Sequence, residues 1–168
     1  QQIDLQFAEY INPDGELDYG NLGFYPDGFV QRDVYVLKGE GEEVFEPQFT
    51  YHGSRYCLVL GLTDEQATEE LLTFDICASA IGDRGDFRCS DDTVNKLQVM
   101  TRNSDLSNFY YFPTDCPHRE KNGWTGDAAV SCEQLSLNFA PEKSYKEWLR
   151  NIRKTQKETG ELPGIIPT

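Results

Sequence analysis

Hydrophobic and polar residues alternate along Ile3-Asp4-Leu5-Gln6-Phe7-Ala8, the period expected where successive side chains point to opposite faces of a half-buried strand. A turn follows at Asn12-Pro13-Asp14-Gly15, and β-rich runs recur at Val34–Leu37, Val44–Tyr51, Tyr56–Leu60 and Leu71–Ser79. Short strands at this spacing predict a β-sandwich. Five strands are few for a sandwich, so the sheet is expected to draw on partners outside this sequence.

Beyond Gly85 the period changes to that of helices. Ser90 reads as an N-cap with Asp91 and Asp92 in the first turn, where the helix dipole favours negative charge, and Val94, Leu97 and Met100 follow at helical spacing. Asp127–Phe139 reads as a second helix. Pro141 opens a third, with Tyr145, Trp148, Leu149 and Ile152 on one face and Gly160 expected to close it. Three such helices cannot bury their apolar stripes against one another alone, and Leu162-Pro163-Gly164-Ile165-Ile166-Pro167-Thr168 reads as an entry into further structure. The expectation is a piece of a larger enzyme or assembly, incomplete at both ends, with a β segment at 1–85 and a helical segment at 86–168.

Charge supports that division. Residues 1–89 hold 18 Asp and Glu against 5 Lys and Arg, whereas residues 90–168 hold 11 against 10. The net charge of −14 argues against nucleic-acid binding, since a phosphate backbone is held by clustered cations. The longest apolar runs fall far short of a membrane span, so no membrane association is expected. The chain begins Gln-Gln without Met, which leaves the compartment open. Five cysteines (Cys57, Cys77, Cys89, Cys116, Cys132) form no C-x-x-C pair, so neither a disulfide framework nor a zinc knuckle is indicated. Most read as small buried hydrophobes. Asp115, Cys116 and His118 carry metal-ligating groups close together, but with only two histidines in the chain no metal or other cofactor is expected.

The densest chemistry lies in Thr114-Asp115-Cys116-Pro117-His118-Arg119-Glu120-Lys121-Asn122-Gly123-Trp124-Thr125-Gly126-Asp127. A Trp among carboxylates suits a sugar: an aromatic face for the ring, acidic oxygens for the hydroxyls. Glycosidic cleavage needs one carboxylic acid to protonate the leaving oxygen and a second carboxylate to activate water or attack the anomeric carbon. Glu120 and Asp127 flank Trp124, and Asp115 precedes Glu120. Each residue also has a plainer reading: Asp127 as a helix cap, Asp115 as a turn former, Arg119 and Glu120 as exposed ion-pairing groups, Trp124 as a core anchor, and His118 as a hydrogen-bonding loop residue. Their coincidence in one short segment favours function.

This segment resembles the signature T-D-C-P-Q-R-E-K-L-G-W-T-G-D of glycoside hydrolase family 78, the α-L-rhamnosidases, with His118 in place of Gln and Asn122 in place of Leu. Glu46-Pro47-Gln48-Phe49-Thr50-Tyr51-His52-Gly53-Ser54-Arg55-Tyr56 is similar to the family's E-P-x-F-T-Y-H-G-F-R-Y, with Ser54 replacing an aromatic. Phe87-Arg88-Cys89-Ser90, Trp148-Leu149-Arg150 and Leu162-Pro163-Gly164-Ile165-Ile166-Pro167 extend the likeness over nearly the whole chain.

The resemblance implies a bacterial-type hydrolase in which a β-sandwich leads into an (α/α)6 barrel that pockets terminal α-L-rhamnose of a rhamnoside. It implies that Glu120 is the general acid. Asp115 and Asp127 would hold sugar hydroxyls, Arg119 would bind the sugar or fix Glu120, and Trp124 would pack on the ring. The family inverts stereochemistry, so a separate carboxylate must activate water, and the resemblance puts that base beyond Thr168. The 168 residues alone are therefore expected to be inactive and to need the remainder of the barrel, from the same or another chain. Two other readings stand beside this one: a non-catalytic carbohydrate-binding module, and a structural fragment that needs a partner segment.

Overall fold

The computed structural model describes residues 1–22 and 31–167. It divides into two compact units, Gln1–Ile76 and Cys77–Thr168. This boundary lies ahead of both the change of period beyond Gly85 and the shift of charge near Cys89. The reason is local: the short strand Gly82–Asp83 pairs with Phe139–Ala140, and the backbone N–H groups of Arg84 and Gly85 bond the carbonyl of Asn138, so residues 82–85 are held by the helical unit.

In the first unit, β1 (Gln2–Ala8) is the middle strand of a three-stranded antiparallel sheet, flanked by β4 (Gln31–Val36) and β5 (Tyr56–Leu60). The turn at residues 12–15 forms as expected. It joins two-residue strands β2 (Tyr10–Ile11) and β3 (Leu17–Asp18), with Gly15 at φ 93°, a conformation that glycine adopts without strain.

Alternation in β1 is broken by one buried acid. Asp4 is buried because Arg32, diagonally across the β1–β4 pair, grips both its carboxylate oxygens. That hydrogen bonding holds the Asp4 carboxyl below its usual range.

Two sequence-predicted strands do not form. Residues 44–51 lie outside any strand, since Pro47 has no N–H to donate and Phe49 turns the backbone into the left-handed region at φ 63°. Side chains secure this stretch and its end instead of a ladder. Phe45 stacks on Tyr35 at 4.7 Å, His52 stacks on Phe7 at 4.3 Å and meets Asp33 at 2.8 Å, and the Gln31 amide clamps the Gly53 backbone at 2.8 and 3.1 Å. Residues 71–79 find no strand partner among the described residues either; the Ser79 N–H bonds the Phe109 carbonyl across an irregular path.

The second unit is built on three helices: α1 (Asp92–Ser107), α2 (Thr125–Asn138) and α3 (Glu142–Thr155). Between them lie the short strands β6 (Gly82–Asp83), β7 (Phe109–Tyr110), β8 (Phe112–Pro113) and β9 (Phe139–Ala140). The cap of α1 is Asp91 rather than Ser90, its carboxylate accepting the N–H groups of Thr93 and Val94 at 2.8 and 3.2 Å. α3 stops at Thr155, well before Gly160. The Thr155 hydroxyl donates back to the Asn151 and Ile152 carbonyls, and Gly160 (φ 89°) instead closes a later turn onto Lys157.

Two apolar clusters hold these helices. Phe109, Leu135 and Phe139 form one with Ile81 and Leu106, while Ala128, Trp148 and Ile166 form the other with Phe112 and Ile152; Tyr145 packs against both. The expected apolar stripe of α1 stays outside them, with Val94, Leu97 and Met100 at 40%, 60% and 66% exposure. Against α2 the helix turns a polar face. Gln98 donates to Asn138 at 2.5 Å, Arg102 donates to the Gly85 and Asn138 carbonyls and lies over the Phe139 ring, and Gln134 donates to Asp105. Of the five cysteines, all free thiols, only Cys116 is buried and Cys77 is exposed, so most do not serve as core residues.

Burial raises the Asp105 carboxyl above the usual carboxylate range, against the lowering effect of Gln134 and Arg102. The folded state therefore holds this proton more firmly than the unfolded chain. The stability so gained is complete below the usual carboxylate value and is lost as pH rises through the raised one. In Asp105→Asn that loss disappears: the variant's unfolding midpoint relative to the parent is expected to be higher at about pH 7 than at about pH 3.5, as measured by thermal melts of the full-length protein at both pH values.

Candidate active site

The signature segment begins directly after β8 and runs through an irregular loop into the first turn of α2. Thr114 anchors its start, with both backbone N–H and hydroxyl donating to the Asn108 carbonyl at 2.7 and 3.0 Å. A tight internal weave follows. The Asp115 N–H bonds the Asn122 carbonyl at 3.0 Å, and Asp115 Oδ1 accepts the Asn122 N–H at 2.9 Å. Asp115 is thus the turn former its plainer reading describes, and it keeps a carboxylate at the site as well.

Gly123-Trp124-Thr125 is zipped to the segment after α3. The Ile166 N–H donates to the Gly123 carbonyl and the Thr125 N–H to the Gly164 carbonyl, both at 2.9 Å, around a Trp124–Ile165 bridge. The Ile166 carbonyl also takes the Trp148 indole N–H at 2.7 Å. A Cβ on Gly123 would lie 2.1 Å from that carbonyl oxygen, so the close approach requires glycine.

On this frame Glu120 and Trp124 meet. The indole N–H donates to Glu120 Oε2 at 2.9 Å, and Arg119 Nε stands 3.8 Å from Oε1, with the Glu120 side chain 13% exposed. Low exposure and a fixed indole donor set this carboxylate apart from a solvated surface acid. Trp124 is half-buried and not a core anchor, whereas Trp148, at 5% exposure, is one.

Asp127 sits in the first turn of α2 and is exposed; the N-cap is Trp124, so Asp127 is not the cap. It shares a cleft of about 530 Å³ with Asp115, between α1 and α2, alongside Ser104, Asp105, Ser131 and Gln134. The fold therefore joins Asp115, Glu120 and Trp124 through the loop, brings Arg119 next to Glu120, and sets Asp127 with Asp115 on one cleft.

His118 stays outside the acidic group. The ligating atoms that gather within 4.8 Å of one another are those of Asp115, Cys116 and Glu120. Each of these groups is engaged in the loop itself, the thiol donating to Asp115 Oδ2 at 3.2 Å and accepting the Glu120 N–H at 3.3 Å. Sequence reasoning missed this use of Cys116, and it missed Asp105 as a cleft residue. The available signal for Asp105 was an acid in helical register with Gln98 and Arg102.

No helix among the described residues is long and apolar enough to cross a membrane. Residues 82–168 match the bacterial alpha-L-rhamnosidase 6 hairpin glycosidase domain, and residues 1–81 match the bacterial alpha-L-rhamnosidase concanavalin-like domain. An alpha-L-rhamnosidase of Formosa agariphila is 37% identical over 174 residues, covering 100% of this chain and 18% of that protein. The solved alpha-L-rhamnosidase from Dictyoglumus thermophilum superposes with a TM-score of 0.85 at 36% identity, covering 99% of this chain and 18% of that one. The Streptomyces avermitilis alpha-L-rhamnosidase complexed with L-rhamnose superposes with a TM-score of 0.89 at 31% identity, covering 99% and 16%. The chain spans less than a fifth of the length of each of these relatives.

The glycines give a direct test of the frame. Gly123→Ala forces its methyl onto the Ile166 carbonyl and is expected to cost roughly 1–3 kcal/mol. Gly126→Ala, whose Cβ meets nothing within 4 Å inside α2, is expected to be neutral or stabilising. Thermal or denaturant unfolding of both variants measures the contrast.

Proposed function

The chain belongs to the bacterial α-L-rhamnosidase family, and from that premise we propose that it carries the acid half of an inverting active site for terminal α-L-rhamnosides. The observation that carries this reading is the Glu120 carboxylate, largely shielded from water and held through one oxygen by the Trp124 indole N–H. That bond occupies Oε2 and leaves Oε1 to carry the proton. In the reaction Glu120 gives this proton to the glycosidic oxygen, the bond from that oxygen to the anomeric carbon breaks, and the aglycone leaves as its hydroxyl compound. Arg119 beside Oε1 then stabilises the carboxylate that remains.

Asp115 and Asp127, on one cleft, accept hydroxyls of the sugar, and Trp124 offers its half-buried ring. Water attacks the anomeric carbon from the opposite face and loses its proton to a carboxylate supplied from beyond Thr168. Inversion requires that base to stand about 6.5–9.5 Å from Glu120, leaving room for the water. The three helices of the second unit form part of an (α/α)6 barrel in this reading, and the sheet of the first unit forms part of a β-sandwich.

Release of L-rhamnose by the full-length enzyme tests the assignment. Glu120→Gln is expected to lower kcat/KM on an unactivated alkyl α-L-rhamnoside by roughly 10²–10⁴-fold. The loss should be much smaller on a nitrophenyl α-L-rhamnoside, whose leaving group needs little protonation. Full activity of the variant on the alkyl substrate would refute the role of Glu120. Sugar binding without turnover in the parent would favour a binding module.

A further inference from the structure

We propose, resting on the rhamnosidase reading, that Cys116 is a positioning residue whose thiol ties the sugar-binding carboxylate of Asp115 to the backbone of the acid Glu120. Cys116 is 7% exposed and its thiol does two things at once: it donates to Asp115 Oδ2 at 3.2 Å and accepts the Glu120 N–H at 3.3 Å. Asp115 Oδ1 is held from the other side by the Asn122 N–H at 2.9 Å. One sulfur atom thus spans the gap between the group that grips the sugar and the group that protonates its leaving oxygen.

Sulfur suits this post on two counts. Its long contacts let a single atom reach both partners without drawing the loop tighter. As a weak donor it also leaves most of the acceptor strength of Asp115 Oδ2 for a sugar hydroxyl. A filler of the same size without polarity would leave the Glu120 N–H and one oxygen of Asp115 without these partners. The loop would then be free to shift Glu120 by the fraction of an ångström that general-acid geometry does not tolerate.

The test uses the full-length enzyme with Cys116→Ala, Cys116→Val and Cys116→Ser, each assayed on an alkyl and a nitrophenyl α-L-rhamnoside and titrated with L-rhamnose by calorimetry. Ala and Val are expected to lose roughly 10–100-fold in kcat/KM on the alkyl substrate, a loss of the size found when an outer partner that orients a metal-ligating side chain is removed. The nitrophenyl substrate should lose less, because it does not depend on the acid, and L-rhamnose should bind more weakly because Asp115 has lost its tether. Ser, which can both donate and accept but reaches less far, should recover part of the loss and exceed Val. A merely structural cysteine would give equal losses on both substrates with Ser no better than Val, and that result overturns the proposal. So does activity within about twofold of the parent in the Ala variant. Cys116→Ala intact while Glu120→Gln is impaired sinks this inference alone; an inactive parent, or an unimpaired Glu120→Gln, sinks the rhamnosidase reading and the inference with it.

Discussion

Everything at the candidate site hangs on the contact between Gly123–Thr125 and Gly164–Ile166. Two backbone hydrogen bonds and a missing Cβ bring these strands of chain together, and the Trp148 indole seizes the carbonyl that lies between them. Each bond is worth only about 0.5–1.5 kcal/mol net, but all act on a segment whose Ile166 is fully buried. The contact fixes the backbone of Trp124, the indole then fixes Glu120, and the turn through Asp115 and Asn122 fixes the other end of the loop. Rigid placement of a loop by helices on either side is the arrangement a site needs if its reacting groups are to be held within a fraction of an ångström.

The pairing of α1 with α2 follows a different logic. Amides, a guanidinium and a carboxylate meet across it, and each polar group that loses water there must recover a partner. The seam is thereby specific in register. Its cost falls on Asp105, whose second carboxylate oxygen is buried with no hydrogen-bond partner among the described residues while the first takes the Gln134 amide. The same residue borders the cleft shared by Asp115 and Asp127, so the seam and the cleft are built from a common wall.

The sequence was most legible where local chemistry decides conformation. The Asn12–Gly15 turn, strands β1, β4 and β5, and all three helices stand close to where period and turn residues put them. It was least legible where long-range partners decide. Residues 44–51 have strand-forming composition, but a strand needs a ladder, and Pro47, the left-handed Phe49 and the Gln31 clamp send the backbone elsewhere. The spacing of Val94, Leu97 and Met100 correctly marks a helix, and the face it marks is exposed, because period tells that a face exists and says nothing of what covers it. At the loop, residue types suggested sugar chemistry, and the structure adds the contacts: the indole on Glu120, and the thiol between Asp115 and Glu120.

The chain has two tryptophans, and both touch the same piece of backbone: Trp148 through its indole on the Ile166 carbonyl, Trp124 through its bridge to Ile165. Tryptophan emission, excited at the red edge where the tyrosines do not absorb, is therefore a gauge of one event, the seating of residues 164–166 beside the loop. The sheet of residues 1–76 carries no indole and is dark to that signal. A spectroscopist watching the chain fold would see the candidate site close and nothing of the sheet.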